Sequence, residues 1–276
     1  MDAEAAILPL VEDRNETRPA NAALDRRFWF SHAVWPALAF ALLATAAAAT
    51  GLDEGFARAW AFDPVAHQFI GSGAGEWWAR NLIHGTGGRV IRILGGAVLL
   101  VWVLSLRIDA LRRWRRPAGF VVLSVALSVG TVGLLKQVTN VDCPWSLVDF
   151  GGLRPYVHLF GDRPDFLPRA QCFPGGHSSS GFALFALYFL TLGRSRSLAR
   201  WSLGAALMVG GVFAFGQEAR GAHFLSHDLW SAAAAWFSCL AVYGLVYRGN
   251  VWADRHDLPT IEPWTASSSP ASPPPG

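Results

Sequence analysis

Residues 119–135 read GFVVLSVALSVGTVGLL, a stretch without a single charged side chain. As an α-helix, a run of this length is close to the roughly 17–25 residues that cross the hydrocarbon core of a bilayer. The composition of the whole chain agrees, because 52% of its 276 residues are hydrophobic, 16% are charged and the mean hydropathy is +0.29. These values exclude an ordinary soluble domain and indicate an integral membrane protein.

Other apolar runs extend this pattern to a set of predicted membrane-spanning helices. Some of these runs are short, and polar motifs trim their ends. The six predicted spans are Phe28–Thr50, Val90–Leu106, Gly119–Leu135, Ser178–Leu192, Leu203–Phe215 and Leu229–Tyr247. The predicted fold class is therefore all-α, an integral membrane six-helix bundle.

The placement of arginine predicts how the bundle is oriented. The loop after the second span and the loop after the fourth are rich in arginine, namely Arg107, Arg112, Arg113, Arg115, Arg116, Arg194, Arg196 and Arg200. Short loops rich in Lys and Arg stay in the cytoplasm. Both chain ends are then cytoplasmic, and residues 51–89, 137–176 and 217–226 face the periplasm of a bacterial-type inner membrane.

This topology divides the chain into three parts. Residues 1–27 are a cytoplasmic, partly disordered segment, residues 28–247 are the membrane domain, and residues 248–276 are a disordered cytoplasmic tail rich in Ser and Pro. In the first outward loop, GLDEGFARAWAF and EWWARNLIHGTGG mix polar and aromatic residues, which is typical of interfacial helices lying on the membrane surface. A packed linker is the alternative for both segments.

Three polar clusters border the outward side. Lys136 follows the third span, His177 in FPGGHSSSG precedes the fourth, and GQEARGAHFLSHD, with His223, joins the fifth to the sixth. Ionisable groups at such positions are candidates for function. Glycines before a helix N-terminus favour an anion, Lys and Arg bind phosphate oxygens, and histidine acts as nucleophile, acid or base near neutral pH. The clusters together suit an oxyanion such as phosphate.

These residues resemble the type-2 phosphatidic acid phosphatase/haloperoxidase superfamily, whose motifs are K-x6-R-P, P-S-G-H and S-R-x5-H-x3-D. The resemblance covers about residues 119–246 and implies a six-helix membrane core with the motifs at neighbouring helix ends. In this chain the motifs are Lys136, six residues, Cys143-Pro144; Pro174-Gly175-Gly176-His177; and Gln217, five residues, His223, three residues, His227.

Several motif positions depart from the family pattern. Arg220 lies one helical turn beyond a missing motif arginine and is expected to deliver its guanidinium to the same place. Asp228 directly follows the position of the motif aspartate. The departing residues are Cys143 and Gln217 for arginine, Gly175 for serine and His227 for aspartate. The resemblance is therefore to a divergent branch of the superfamily.

The resemblance implies a mechanism without a metal or another cofactor. His223 attacks phosphorus to form a phosphohistidine, and His227 or Asp228 holds the other ring nitrogen of His223. His177 protonates the leaving group and then activates water. The groups expected to bind the equatorial phosphate oxygens are Lys136, Arg220, Gln217, Ser178 and the amides of Gly175 and Gly176.

Other interpretations of the same residues stay open. His223 could be a packed histidine at a helix junction. Lys136 could be a lysine that snorkels at the end of a span, and Asp228 could be an acid that stabilises the N-terminus of the sixth helix. His223 and His227 also have a zinc-compatible i, i+4 spacing, although Phe224 stands where a metalloprotease motif has glutamate. The histidines without a motif, expected at the surface, are His67, His84 and His158.

Cys143 and Cys172 lie on the same outward loop, one beside each of the first two motifs. In an oxidising periplasm a disulfide between them would tie these motifs together, whereas two free thiols are the alternative. Cys239 lies in the middle of the sixth span and is expected to be a buried thiol.

The sequence thus predicts a membrane lipid phosphatase that acts on a lipid phosphate or diphosphate at the outer face. Its expected partners are the bilayer and the membrane lipid phosphate, with no nucleic acid. A phosphotransferase with the same intermediate is a close variant, and a non-catalytic lipid-phosphate binder or transporter is the alternative from another class. A vanadium haloperoxidase is disfavoured because those relatives are soluble.

Overall fold

The computed structural model describes residues 24–159 and 161–252. Within these residues the fold is helical apart from one antiparallel hairpin of two short strands, β1 (Phe62–Asp63) and β2 (Gln68–Phe69). The all-α class is therefore confirmed. The predicted disorder of the N-terminal segment and of the tail falls mainly on residues 1–23 and 253–276, which lie outside the described residues.

The helices of the described region follow one another with short connections, except for residues 57–72, which contain the hairpin, and the loop of residues 140–175. π-Helical stretches are built into two of them, at Phe30–Val34 and Trp77–Gly87, and a third extends the last helix through Val242–Val246. The helices are α1 (Arg26–Ala49), α2 (Leu52–Phe56), α3 (Gly73–Ser105), α4 (Arg115–Thr139), α5 (Gly176–Phe182), α6 (Phe185–Leu192), α7 (Arg196–Ala219) and α8 (Leu225–Ala241).

Five helical segments of the described chain are long and apolar enough to cross a membrane. They are α1, α3, the segment Asp109–Ser146 that contains α4, α7, and α8 with its extension to Val246. This fits a multi-pass membrane protein. The predicted fourth span, Ser178–Leu192, is divided into α5 and α6 by a turn at residues 183–184, so the count of six spans stays a prediction.

Two segments differ from their predicted form. EWWARNLIHGTGG is not a separate helix, because the π-helical stretch Trp77–Gly87 keeps helical dihedral angles through Gly88 and runs on into the second span. GLDEGFARAWAF forms α2 and a π-helical turn, Ala57–Ala61, that leads into the hairpin. The position of both segments on the membrane surface stays a prediction.

The helix boundaries otherwise follow the apolar runs, with α7 as the main exception. It begins at Arg196 rather than Leu203, because Ser195 caps it by accepting a hydrogen bond from the Leu198 amide at 3.2 Å. The two extra turns contain Arg196 and Arg200, and the apolar run on which the prediction was based begins after them.

An aromatic cluster holds one end of the bundle together. The most buried of the spans, α8, packs against α1, α4, α5 and α6. Its side chains join those of the neighbouring helices in a cluster of buried rings, Phe120, Phe185, Phe189, Trp236 and Tyr243. Helices α5 and α7 also come very close, since a Cβ on Gly181 would lie 2.8 Å from the Gly210 Cα.

The arginine-rich loops meet at this same end. Arg116 Nη2 donates to the Asn250 carbonyl at 2.7 Å, which joins the start of α4 to the segment after α8. The Arg194 guanidinium lies 4.3 Å from the centre of the Trp252 ring, which joins the α6–α7 loop to the same segment. The loops predicted to share one side of the membrane are thus together at one end, which we call the arginine-loop end. The opposite end is called the site end.

Candidate active site

The first and second motifs meet where the end of α4 passes the start of α5. A Cβ on Gly176 would lie 3.1 Å from Lys136 Cε and 3.9 Å from its Nζ, so the bare glycine lets the lysine cross the helix start. Lys136 Nζ donates to the Gln171 carbonyl at 2.8 Å. The lysine is therefore held against the loop that precedes His177.

The second and third motifs are joined through Gly175. Its amide donates to the His227 carbonyl at 3.3 Å, and Ser231 Oγ donates to the Gly175 carbonyl at 2.8 Å. A Cβ on Gly175 would overlap Asp228 Oδ1 and Ser178 Oγ. Glycine at the position where the family has serine thus has a steric reason, which is the close packing of the start of α5 on α8.

His177 is held between α3 and α7. Its ring stacks on Phe213 with the ring centres 4.2 Å apart, and the His84 ring centre lies 4.4 Å from it. His177 Nε2 lies 3.3 Å from the Ile83 carbonyl. Because a carbonyl only accepts hydrogen bonds, Nε2 carries the proton in this arrangement. Nδ1 is then free to accept a second proton and to release it again.

His223 lies in the short connection between α7 and α8, and its side chain is only 6% exposed. Its ring centre is 5.8 Å from that of His227. Burial, helped by the nearby charges of His227 and Lys136, holds the pKa of His223 well below its ordinary value of 6.5. The ring is therefore neutral at neutral pH, and the neutral imidazole is the form that attacks as a nucleophile.

The second ring nitrogen of His223 does not bond to the residues expected to hold it. His223 Nδ1 is buried and has no hydrogen-bond partner in the described part of the chain. His227 Nδ1 lies 3.2 Å from the Cys172 carbonyl instead, and Asp228 Oδ1 accepts a hydrogen bond from Ser178 Oγ at 2.5 Å. The Ser178 hydroxyl is thus directed to a carboxylate and not to the open side of the site.

The first turn of α8, which follows His223, is fixed by a carboxylate from α2. Asp53 accepts hydrogen bonds from the Ser226 amide at 2.9 Å and from Ser226 Oγ at 2.5 Å. Burial raises the pKa of Asp53, and the bonds from Ser226 oppose that shift. A side chain from the first outward loop therefore satisfies the start of α8, as a capping residue does within one helix.

Arg220 bonds to the residue that stands at the missing motif arginine position. Its Nη1 donates to Gln217 Oε1 at 2.6 Å, so the guanidinium sits beside the residue that replaces the arginine. Gln217 is buried, whereas Arg220 is half-buried and lines a polar cavity of about 270 Å³ together with Ser72 and Arg80. This cavity links Arg220 to the outer surface of the site end.

The cysteines beside the first two motifs are paired in the structure. The Cα atoms of Cys143 and Cys172 are 5.2 Å apart, which lies within the range that a disulfide spans. The neighbouring Asp142 is buried and accepts hydrogen bonds from Arg154 and Arg163, which orders the same loop. Cys239 is buried, as expected for a thiol in the middle of a span.

One match comes from a comparison with protein-family models. Residues 117–250 match the model described as PAP2 superfamily, and we call them the PAP2 region. The match is consistent with a member of the type-2 phosphatidic acid phosphatase superfamily. No curated protein and no solved structure matches the chain. The PAP2 region contains all three motifs and supports a phosphatase or phosphotransferase type of function.

The PAP2 region does not contain every polar group at the site. His84, which was predicted at the surface, is half-buried against His177 of the PAP2 region, so that prediction was wrong. His67 and His158 are exposed, as predicted. The sequence did contain a signal for this position. His84 and Arg92 lie eight residues apart, which places them on one face of the helix that leads into the second apolar run.

Glu218 is a second polar residue that the motifs did not indicate. It is 8% exposed at the end of α7, and its carboxyl neighbours that of Asp228. The residues that the structure describes include no group of three or more His, Cys, Asp or Glu side chains placed to hold a metal ion.

Proposed function

We propose that the protein is a membrane lipid phosphatase that hydrolyses a lipid phosphate or diphosphate through a phosphohistidine on the periplasmic face. The observation that supports this proposal is that Lys136, His177 and His223 all lie at the site end of the bundle. These residues come from three separate helix ends, and each belongs to a different motif of the PAP2 superfamily. The arginine-rich loops lie at the other end, which supports a periplasmic site by the distribution of positive charge.

The proposed reaction has two steps, and His177 acts as an acid in the first and as a base in the second. In the first, a neutral ring nitrogen of His223 attacks phosphorus, the bond from phosphorus to the lipid oxygen breaks, and the imidazolium form of His177 gives that oxygen its Nδ1 proton. In the second, His177 takes a proton from water, the oxygen attacks phosphorus and the bond to His223 breaks. Lys136, Arg220 and the amide of Gly176 stabilise the negative oxygens throughout, whereas the Gly175 amide already donates to the His227 carbonyl.

An apolar cavity beside the site supports a lipid as the substrate. It has a volume of about 220 Å³ and lies between α1, the outward loop and the start of α8. Ala44, Val157 and Trp230 line it, and the His227 side chain forms part of its wall. An acyl or prenyl chain in this cavity would bring its phosphate to the histidines while staying out of water.

The test is a phosphate-release assay of the purified protein on a panel of lipids in mixed micelles. The panel contains phosphatidate, phosphatidylglycerol phosphate, undecaprenyl diphosphate and a lipid A phosphate, together with a water-soluble phosphomonoester. We expect release from at least one lipid, a loss of about 10³-fold or more in His223→Ala and a loss of about 10²–10⁴-fold in His177→Ala. His67→Asn changes an exposed histidine of the hairpin and is the matched control.

Three outcomes separate the alternatives. Transfer of phosphate to a second lipid alcohol, with little free phosphate, identifies a phosphotransferase with the same intermediate. Binding of phosphate headgroups that survives His223→Ala, without turnover in either protein, identifies a binder or transporter. Equal turnover in the wild type and His223→Ala contradicts the proposed chemistry.

A further inference from the structure

One face of α3 forms a wall of the site although it lies outside residues 117–250. His84, Gly88 and Arg92 follow one another along this face. The His84 ring centre is 4.4 Å from that of His177, and the neighbouring Ile83 carbonyl is 3.3 Å from His177 Nε2. The helix therefore contacts the residue that we assign to proton transfer.

Gly88 lets two groups come together at one point on this wall. A Cβ there would lie 3.1 Å from His177 Cε1 and 3.3 Å from Arg92 Nη1. The imidazole and the guanidinium thus both lie over the bare glycine. His177 Nδ1 lies 3.7 Å from the same Cβ position, so this nitrogen and the Arg92 guanidinium border one point on α3.

The charge of Arg92 has no partner on the protein within residues 24–159 and 161–252. Its guanidinium makes no ion pair or side-chain hydrogen bond there, and the side chain is exposed. Arginine within a membrane-spanning helix is costly and is retained mainly where it binds a substrate or a partner. By contrast, Arg89 on the same helix donates to Thr86 Oγ1 at 3.0 Å.

The site also lacks positive charge that its family motifs would supply. Cys143 and Gln217 occupy the two motif arginine positions, and Arg220 stands beside only the second of them. We propose that Arg92 binds the phosphoryl group of the substrate and supplies the guanidinium that the first motif lacks. This inference rests on the proposed function for the identity of the bound group.

The test compares Arg92→Ala, Arg92→Met and Arg92→Lys with the control Arg89→Ala. The measured quantities are KM for the best lipid phosphate and the inhibition constant of inorganic phosphate, together with kcat and the thermal midpoint of each variant. We expect Arg92→Ala and Arg92→Met to raise both constants about 10- to 100-fold, which corresponds to the loss of a charge-assisted hydrogen bond. Arg92→Lys should give an intermediate value and Arg89→Ala should match the wild type. If Arg92→Ala fails to fold, the test rests on Arg92→Met, because methionine keeps most of the bulk of the side chain.

The failure of this inference differs from the failure of the proposed function. If the wild type releases phosphate and the Arg92 variants behave like Arg89→Ala, Arg92 is not a phosphate ligand and the phosphatase proposal stands. If the wild type releases no phosphate, direct binding of radiolabelled inorganic phosphate decides. Weaker binding in Arg92→Met than in Arg89→Ala supports the inference, and equal or absent binding in all proteins overturns it.

Discussion

The two ends of the helix bundle are built from opposite kinds of side chain. At the arginine-loop end the interior consists of rings, with Phe120, Phe189, Trp236 and Tyr243 all buried. At the site end the interior contains His223, Asp228 and other polar residues that are equally buried. Helices α4 and α8 contribute side chains to both ends.

This difference separates stability from function. Burial of aromatic rings is favourable and holds the helices in place. Burial of polar and ionisable groups costs free energy unless every group is paired, and His223 Nδ1 and Asp228 Oδ2 have no partner in the described region. A fold keeps such groups for what they bind or react with, so variants at the two ends should have different consequences.

The largest effect on stability is expected at the arginine-loop end. Phe189 is fully buried, and its ring centre is 5.0 Å from that of Trp236. Phe189→Ala should lower the free energy of unfolding by about 3–5 kcal/mol, because it removes a large ring and leaves a cavity. Denaturant unfolding in detergent measures the change. The turnover of the remaining folded protein should stay within about threefold of wild type, and a selective loss of turnover would break the division between the two ends.

A somewhat smaller loss is expected when the cysteine pair at the site end is opened. Cys143 and Cys172 are 29 residues apart in sequence, and a crosslink that closes such a loop contributes about 3–4 kcal/mol in the chain-entropy model. The double variant Cys143→Ser/Cys172→Ser should lose that amount, with Cys239→Ser as the control for a lone thiol. Mass-shift labelling before and after reduction reads the bond directly. Labelling of both thiols without reductant would show that there is no disulfide.

Replacing Gly175 with serine, the residue of the family motif, should lower both the stability and the turnover of this protein. Gly175→Ser places a side chain against Asp228 Oδ1 and Ser178 Oγ, and overpacking of this kind costs about 1–3 kcal/mol. The thermal midpoint and the turnover should both fall. Gly193→Ser is the control, because a Cβ there meets nothing within 4 Å. A gain of stability in Gly175→Ser would mean that α5 and α8 are packed less closely than in this structure.

The smallest effect concerns pH. Burial lowers the pKa of His223 well below 6.5, so as the pH falls below about 6.5 the unfolded chain takes up a proton that the folded protein does not. The contribution of His223 to stability is therefore complete above pH 6.5 and is lost as the pH falls further. Melting curves at several pH values measure this effect. Between pH 6.5 and 5, the thermal midpoint of His223→Gln should fall less than that of the wild type. Parallel curves would contradict the burial of a neutral ring.

The sequence predicted most of the helices that carry the candidate site residues, because a membrane span appears in the sequence as an apolar run. The arginine-rich loops predicted which ends of these helices lie together. Lys136, His177 and His223 follow from the alternation of spans alone. The turn at residues 183–184 and the run of α3 through Trp77–Gly87 were missed. A short break keeps the apolar composition of a span, and a π-helical stretch of mixed polarity has no distinctive pattern.

The contacts between side chains were harder to predict than the positions of the motifs. Asp228 was expected beside His223 because it adjoins the motif aspartate position, yet it accepts its hydrogen bond from Ser178. His84 was expected at the surface because no motif contains it, although it lies against His177. Spacing along one helix gives the face of a residue, but the partner depends on how two helices are rotated against each other.

Trapping of the reaction intermediate tests the central claim most directly. A lipid phosphate labelled with ³²P is mixed with the protein and quenched within milliseconds, and the labelled peptide is located by mass spectrometry. The account predicts an acid-labile phosphoryl group on His223 that is absent in His223→Ala and is formed normally in His67→Asn. A protein that releases phosphate without any label on His223, or with the label on another residue, would contradict it.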